Sequence, residues 1–427
     1  MSECSGIEPL SGGSITDARD TAIERVLDRT LDDLTFVFGH PDDLERMSHD
    51  RSQIIRAIDK VAVETVLLAD VLTGSGTVSR QDPRIERILS LAAALIRSPR
   101  NRYLFSHNPR LCTSFGLGHI LLGGMGYPDP AFDRVLTAAA ASPALHPANK
   151  LPFRLLDDYW VLGRAGLGLP RDRQKALAPF TMLTAPISPL YYRTDDYYAL
   201  THEVMYLTDF GRDALPPEYD ATAVLDLIEI SVLDNLRAYD LDVLAELVAA
   251  SAMVKPGPLR PPMAAAAAVL ADEFDDIGLL PSRNFDPEEY AALTNEIDRR
   301  CYLFFNTYHT THVFAMMRAV LHRAGAAKAG HVAQRVAVAG PKLPRSILLA
   351  RNTNAPRWLP RLDSLDLPAD ARENLVTGVA LFDAIRRQDG GDLARLVGML
   401  ADGDVVLPGP LSKDLVEYVH RLHACRS

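Results

Sequence analysis

Cysteine is scarce in this sequence. Four occur in 427 residues, Cys4, Cys112, Cys301 and Cys425, none in C-x-x-C spacing. That excludes a disulfide framework and a cysteine zinc knuckle, and it points to a reducing, cytoplasmic setting. Long apolar runs are missing as well. The longest uncharged stretch, Cys301–Met317, holds Asn306, several threonines and two histidines, so it reads as a buried helix and no membrane span is expected. The opening MSECSGIEPLSGGS has neither the basic n-region nor the apolar h-region of a secretory leader. Positive charge is in deficit: 45 Lys+Arg against 55 Asp+Glu give a formal charge of −10, with no basic stretch interleaved with aromatics. This argues against nucleic acid and favours a small molecule, a short peptide or a protein partner. Phosphate-cradling loops are absent too. GLGHILLGGMG (116–126) has Leu121 where a third glycine would stand, and there is no P-loop, no G-x-S-x-G elbow and no kinase signature. No nucleotide cofactor is expected.

What remains is helical rhythm. Apolar residues make up 48% of the chain and charged ones 23%, a globular balance. In Ile54, Ile55, Ile58, Val61, Leu68 and Leu72 they recur at i, i+3/i+4 and i+7, after Ser48 as an N-cap and before Gly74 as a stop. The rhythm returns repeatedly to the C-terminus, including 195–210, 241–252, 286–323 and 412–424, while strand-like alternation is scarce. Pro/Gly clusters such as TAPISP and KPGPLRPP punctuate it. The prediction is an all-α protein, an α/α barrel or toroid of helical hairpins, with a curved helical-repeat solenoid as the alternative. Residues 1–325 form the expected main body, with 149–325 carrying the site. Residues 326–427 are expected to be a C-terminal helical portion packed on the same body, after the poorly patterned stretch 325–370.

Two segments carry chemistry. In YYALTHEVMYLTDFG, His202-Glu203 begins a zincin-like H-E-x-x-H, but Tyr206 stands where the second histidine belongs. On a helix, Leu200, Val204 and Leu207 form one stripe and Tyr198, His202, Tyr206 and Asp209 another, a polar stripe suited to an internal cavity. In CYLFFNTYHTTHVFAMM, Cys301, Phe305, Tyr308, His312 and Met316 align, with His309 beside them. Two readings follow. Either His202, Asp209, His309 and His312 hold zinc or iron, or an imidazole held by Asp209 moves a proton while Tyr206 or Tyr308 donates to an oxyanion. In DNLRAYDLDVLAELV, the acidic triplet Asp240, Asp242 and Glu246 could hold a cation, but is read first as helix-start charge serving capping and the macrodipole. Asp157-Asp158 and Asp32-Asp33 lack the third aspartate of a diphosphate motif and are read as bystanders.

The blocks YYALTHEVMYLTDFG, NLRAYDLDVLAELV and NTYHTTHVFAMM look like a family of mainly actinobacterial, all-helical proteins without an established activity. That family is typified by T-H-x-x-[FY]-Y-x-T-D-F-G, an acidic D-L-x-A-E-L block and Y-H-T-T; here Met205 stands at the first aromatic place. The resemblance spans about 150–325. It implies a helical protein from a bacterium rich in specialised metabolism, in which His202, Asp209, Tyr308 and His309 match and His312 falls outside the pattern. The expected function is an intracellular non-redox enzyme (lyase, isomerase, cyclase or hydrolase) acting on a small molecule or short peptide through His202, Tyr206, Asp209, Tyr308 and His309. A helical-repeat binding protein or scaffold is the rival.

Overall fold

The computed structural model describes residues 20–47, 56–114, 116–145, 150–168, 171–185, 187–325, 367–387, 390–401, 414–418 and 421. Cys4, Cys425, the N-terminal leader reading, most of the 325–370 stretch and most of the 412–424 helix lie outside the described residues.

Helices follow one another in the order α1 (Thr21–Gly39), α2 (Pro41–Met47), α3 (Ala57–Gly74), α4 (Pro83–Ile96), α5 (Pro99–His107), α6 (Leu111–Ser114), α7 (Gly116–Gly124), α8 (Pro130–Ala140) and α9 (Pro152–Arg164). Then come α10 (Arg171–Lys175), α11 (Thr194–Leu207), α12 (Ala221–Ala238), α13 (Leu241–Val254), α14 (Pro261–Ile277), α15 (Pro287–Ala292), α16 (Glu296–Phe305) and α17 (Tyr308–Arg323). The last two are α18 (Ala369–Arg387) and α19 (Gly390–Ala401). Among the described residues there is no strand, and the protein is all-α, as its apolar rhythm predicts.

Starts are written in the sequence. Asp20, Asp82, Asp129, Asp220, Asp240 and Asn295 each accept from backbone N–H groups of the first turn of their helices. Proline opens α4, α5, α8, α9, α14 and α15, where its missing N–H leaves no bond unmade.

All of α13 is buried. It packs against α11, α12, α14 and α17, and α17 packs in turn against α3. A helix, rather than an open axis, therefore fills the middle of this part of the fold. Its apolar residues, among them Leu244, Leu247, Val248 and Ala250, explain why it sits there. Asp242 and Glu246 are its only charged groups, and they are the anomaly. Further along, α18 lies on α12 and α14, held by Arg386, whose Nη2 is 2.5 Å from the buried carboxylate of Asp234.

Two features depart from the periodic reading. The stretch 286–323 is three helices, not one. It breaks after Phe305, where Asn306 turns its side-chain amide back to the Tyr302 carbonyl and offers its own carbonyl to Ser282. Cys301 and Phe305 therefore lie on α16 while Tyr308, His312 and Met316 lie on α17, and the expected single stripe is divided. The second departure is at the end of α11. Asp209, Phe210 and Gly211 all adopt positive φ (45°, 54° and 78°), a costly conformation for the first two. The surroundings hold it: Phe210 N–H bonds to the Met205 carbonyl, Arg323 donates to the Phe210 carbonyl, and Gly211 packs where a Cβ would lie 3.3 Å from Met253. The helical stripe thus ends before Asp209.

Candidate active site

Asp242 and Glu246 sit one turn apart on α13 and face the same way. Across from them, α11 supplies His202, whose Nε2 lies 3.4 Å from Glu246 Oε1. From α17 comes His309, whose Nε2 lies 3.6 Å from Asp242 Oδ2 while its Nδ1 contacts Glu64 Oε2 of α3 at 3.1 Å. Tyr198 donates its hydroxyl to Asp242 Oδ2 at 2.7 Å and Thr201 donates to Glu246 Oε2 at 2.5 Å. Four helices distant in sequence thus converge on one acidic face. Ligand atoms of Asp242, Glu246 and His309 all lie within 4.8 Å of one another. Asp242 Oδ1 is buried with no hydrogen-bond partner, as is His202 Nδ1.

The two carboxylates are covered, with side chains 7% and 3% exposed, while His309 and His202 expose 38% and 28%. Both rings are nonetheless surrounded by protein at depth. Burial opposes a charge on His309, but Asp242 and Glu64 overcome it and raise its pKa to about 10. Glu64 responds in the opposite sense: burial would raise it, and His309 draws it down to about 2. At His202 burial is outweighed by Glu246, so its pKa also rises. Asp242 is raised, by burial first, with the neighbouring Glu246 charge in the same direction.

Beyond the acids runs a ladder of rings. Tyr198, His202 and Tyr206, each one turn apart on α11, have centroids 5.8 Å apart, and Tyr206 then stacks on Trp160 of α9 at 5.4 Å. The Tyr206 hydroxyl bonds to Asp157, a carboxyl lifted to about 6 by burial, against which Arg154 works. On its other side Tyr206 lines a cavity of about 760 Å³.

The expected site residues fall into two groups. His202, Tyr206 and His309 gather at this centre, and Tyr308 reaches it through a hydrogen bond to Glu64. Asp209 and His312 do not join it. With α11 ended, Asp209 turns to the Trp160 indole N–H (2.7 Å) and to Arg164 (3.1 Å), so it neither orients His202 nor shares an ion with it. His312 points its Nε2 at Thr30 of α1, 3.1 Å away, and burial lowers its pKa to about 4, keeping it a neutral core histidine. Asp240 is the N-cap of α13, as read, but Asp242 and Glu246 belong to the site rather than to the cap.

The glutamate of the zincin-like pair is structural. Glu203 is 1% exposed and accepts from the Met182 N–H at 2.8 Å, roughly a quarter-turn around α11 from His202. Burial raises its pKa from 4.5 to about 8. The folded protein therefore holds this proton more tightly than the unfolded chain. That stabilisation is complete below pH 4.5 and lost as pH rises through 8. Glu203→Gln should flatten this decline, removing roughly 3 kcal/mol of the stability difference between pH 5 and pH 8. Urea denaturation at the two pH values measures it, and an unchanged slope would mean that Glu203 is ionised in the fold.

Sequence reading gave no role to Glu64, set Asp157 aside as a bystander, and ranked a cation site at Asp240, Asp242 and Glu246 below a helix-start role. The signal was there for Glu246: two acids at i and i+4 in a helix otherwise without charge. Glu64 lies on α3 among other charged residues, Asp59, Lys60 and Asp70, and nothing local says that α17 will bring an imidazole to it.

The family model described as Domain of unknown function (DUF6895) matches residues 31–319 of the chain. No curated protein and no solved structure matches it.

Proposed function

We propose, for a chain that belongs to the DUF6895 family and takes no activity from that membership, an enzyme that uses a divalent metal ion to act on a small molecule, by hydrolysis or elimination. The observation that carries this reading is the convergence of Asp242, Glu246 and His309, with one buried oxygen of Asp242 left unpartnered. One imidazole nitrogen and two carboxylates suit zinc, iron(II) or manganese(II). Ligand distances of about 2.1 Å ask for only a small contraction of the group. Glu64 holds the far nitrogen of His309, the carboxylate–histidine pairing that fixes a metal-binding ring and raises its basicity. An ion there would supply Lewis acidity and an ionised water near neutral pH. His202, raised by Glu246 and with Nδ1 free, is placed to take and return the proton. Tyr206 and Asp157 stand one ring further along as a second proton-bearing pair.

Cys112 and Cys301 support the cytoplasmic part of the reading, being free, buried thiols pushed up to about 11 by burial. Among the described residues no helix is long and apolar enough to cross a membrane.

The test is direct. Protein purified without chelator is analysed for metals, then stripped and titrated calorimetrically with Mn²⁺ and Zn²⁺. Saturating ion should raise the unfolding free energy by about 2.7 kcal/mol at a hundredfold excess over Kd. Because His309 keeps its proton up to about pH 10, binding near neutrality should release about one proton, seen as a dependence of the heat on buffer ionisation enthalpy. A stripped protein that binds neither ion, and is not stabilised by either, returns the cluster to the role of a buried hydrogen-bonded support in a binding protein.

A further inference from the structure

The cavity behind Tyr206 has a wall chemistry of its own. Tyr159, Trp160, Tyr206 and Tyr219 give it four aromatic rings within about 760 Å³, a volume suited to a single small ligand. Its charges largely cancel. Arg164 and Asp209 belong to a closed quartet with Asp70 and Arg212, in which Arg164 meets Asp70 at 2.9 Å and Arg212 meets Asp70 at 2.6 Å and Asp209 at 3.3 Å. Lys175 is paired with Glu218 at 3.1 Å. Asp213, on the loop that follows the left-handed turn, is an exposed carboxylate of the lining whose charge no described cation answers within salt-bridge distance. The floor is rigid, because the 209–211 turn is fixed by the bonds already described and Asp213 N–H bonds to the Thr208 carbonyl.

Aromatic faces attract cations through their quadrupoles, and one unanswered carboxylate adds to that preference. We propose that this cavity binds an organic cation with an aromatic body, an arylalkylamine in chemical class, with its ammonium toward Asp213 and its ring among the tyrosines and Trp160. Calling that ligand the substrate rests on the function proposed above, since Tyr206 joins the cavity to His202; the binding itself does not.

The chain has two tryptophans, so a Trp358→Phe variant of the full chain leaves Trp160 as sole reporter. Its fluorescence is titrated, in metal-free buffer, with tyramine, neutral 4-ethylphenol and anionic 4-hydroxyphenylacetate. Equilibrium dialysis of the unaltered protein gives a second measurement free of the reporter substitution. Tyramine should saturate and bind most tightly, and the anion least. Asp213→Asn should weaken tyramine by about fivefold and leave 4-ethylphenol unchanged, a contrast that misfolding would not produce. Tyr159→Leu, which removes a ring-on-ring contact that both ligands make, should weaken tyramine and 4-ethylphenol by about fivefold. Equal affinity for the cation and the anion, or no saturation by tyramine in either assay, overturns the proposal. Binding of tyramine by protein that takes no metal would leave the cavity standing while removing the metal-enzyme reading.

Discussion

Asp242→Asn should cost the protein its divalent ion while leaving the fold nearly intact. The asparagine oxygen still accepts from the Tyr198 hydroxyl, while its amide N–H group takes the place of the buried Oδ1 that has no partner. The charge that is lost is one that burial and the adjacent Glu246 already penalise. Stability of the metal-free protein should fall by about 1–3 kcal/mol, the cost of one buried unpaired donor. Metal affinity should fall by at least about a hundredfold, since even partners outside the ligand set typically contribute ten- to a hundredfold. Tyr198→Phe, which removes only a hydrogen bond to the ligand, should reduce affinity by about tenfold. Calorimetric titration paired with urea denaturation reads both quantities on the same samples. A large loss of stability with affinity unchanged would make Asp242 a packing group instead.

The second large effect belongs to Asp70. It is 3% exposed and lies between the guanidinium groups of Arg164 and Arg212, which leave it only Asp209 to share. Asp70→Ala leaves two half-buried cations against one carboxylate, and the expected loss is about 2–3 kcal/mol, between that of a buried and of a surface pair. The network joins α3 to α9 and to the left-handed turn after α11, so the strained residues Asp209 and Phe210 should loosen with it. Faster hydrogen exchange at the Phe210 and Asp213 amides, whose bonds define that turn, is the accompanying signature. Asp70→Asn, which keeps one of the two acceptor oxygens, should cost less. A loss below about 1 kcal/mol for the alanine variant would mean that solvent screens the quartet as it does a surface pair.

Helix identity was legible because apolar spacing and start signals are local: a proline after an aspartate, a run at i, i+3/i+4 and i+7. His202 and Tyr206 were legible for the same reason, as ring-bearing positions one turn apart on a helix with no ordinary solvent face. Asp209 was misplaced by that very logic. Periodicity assumes that the helix continues, and three left-handed residues in a row are imposed by tertiary contacts with Arg323, Met253 and Trp160. The 286–323 stretch failed in the same way, since Asn306 is compatible with a helix interior and breaks it here by serving Ser282. His312 was drawn toward a metal by its spacing from His309, yet three residues turn a helix by 300° rather than a full circle, enough to direct one ring to α3 and α13 and the other to α1. Glu64 was out of reach of any local argument, because its partner lies 245 residues away.

That distance has a consequence for how the centre comes into being. The Glu64–His309 contact closes most of the chain into a loop, and α13, lacking any wetted side, has no stable resting place until α11, α12, α14 and α17 enclose it. The span 194–254 carries His202, Asp242 and Glu246, while Glu64 and His309 come from either side of it. The full cluster, with Glu64 and His309 in place, exists only where two distant parts of the chain meet, so its assembly is tied to long-range packing.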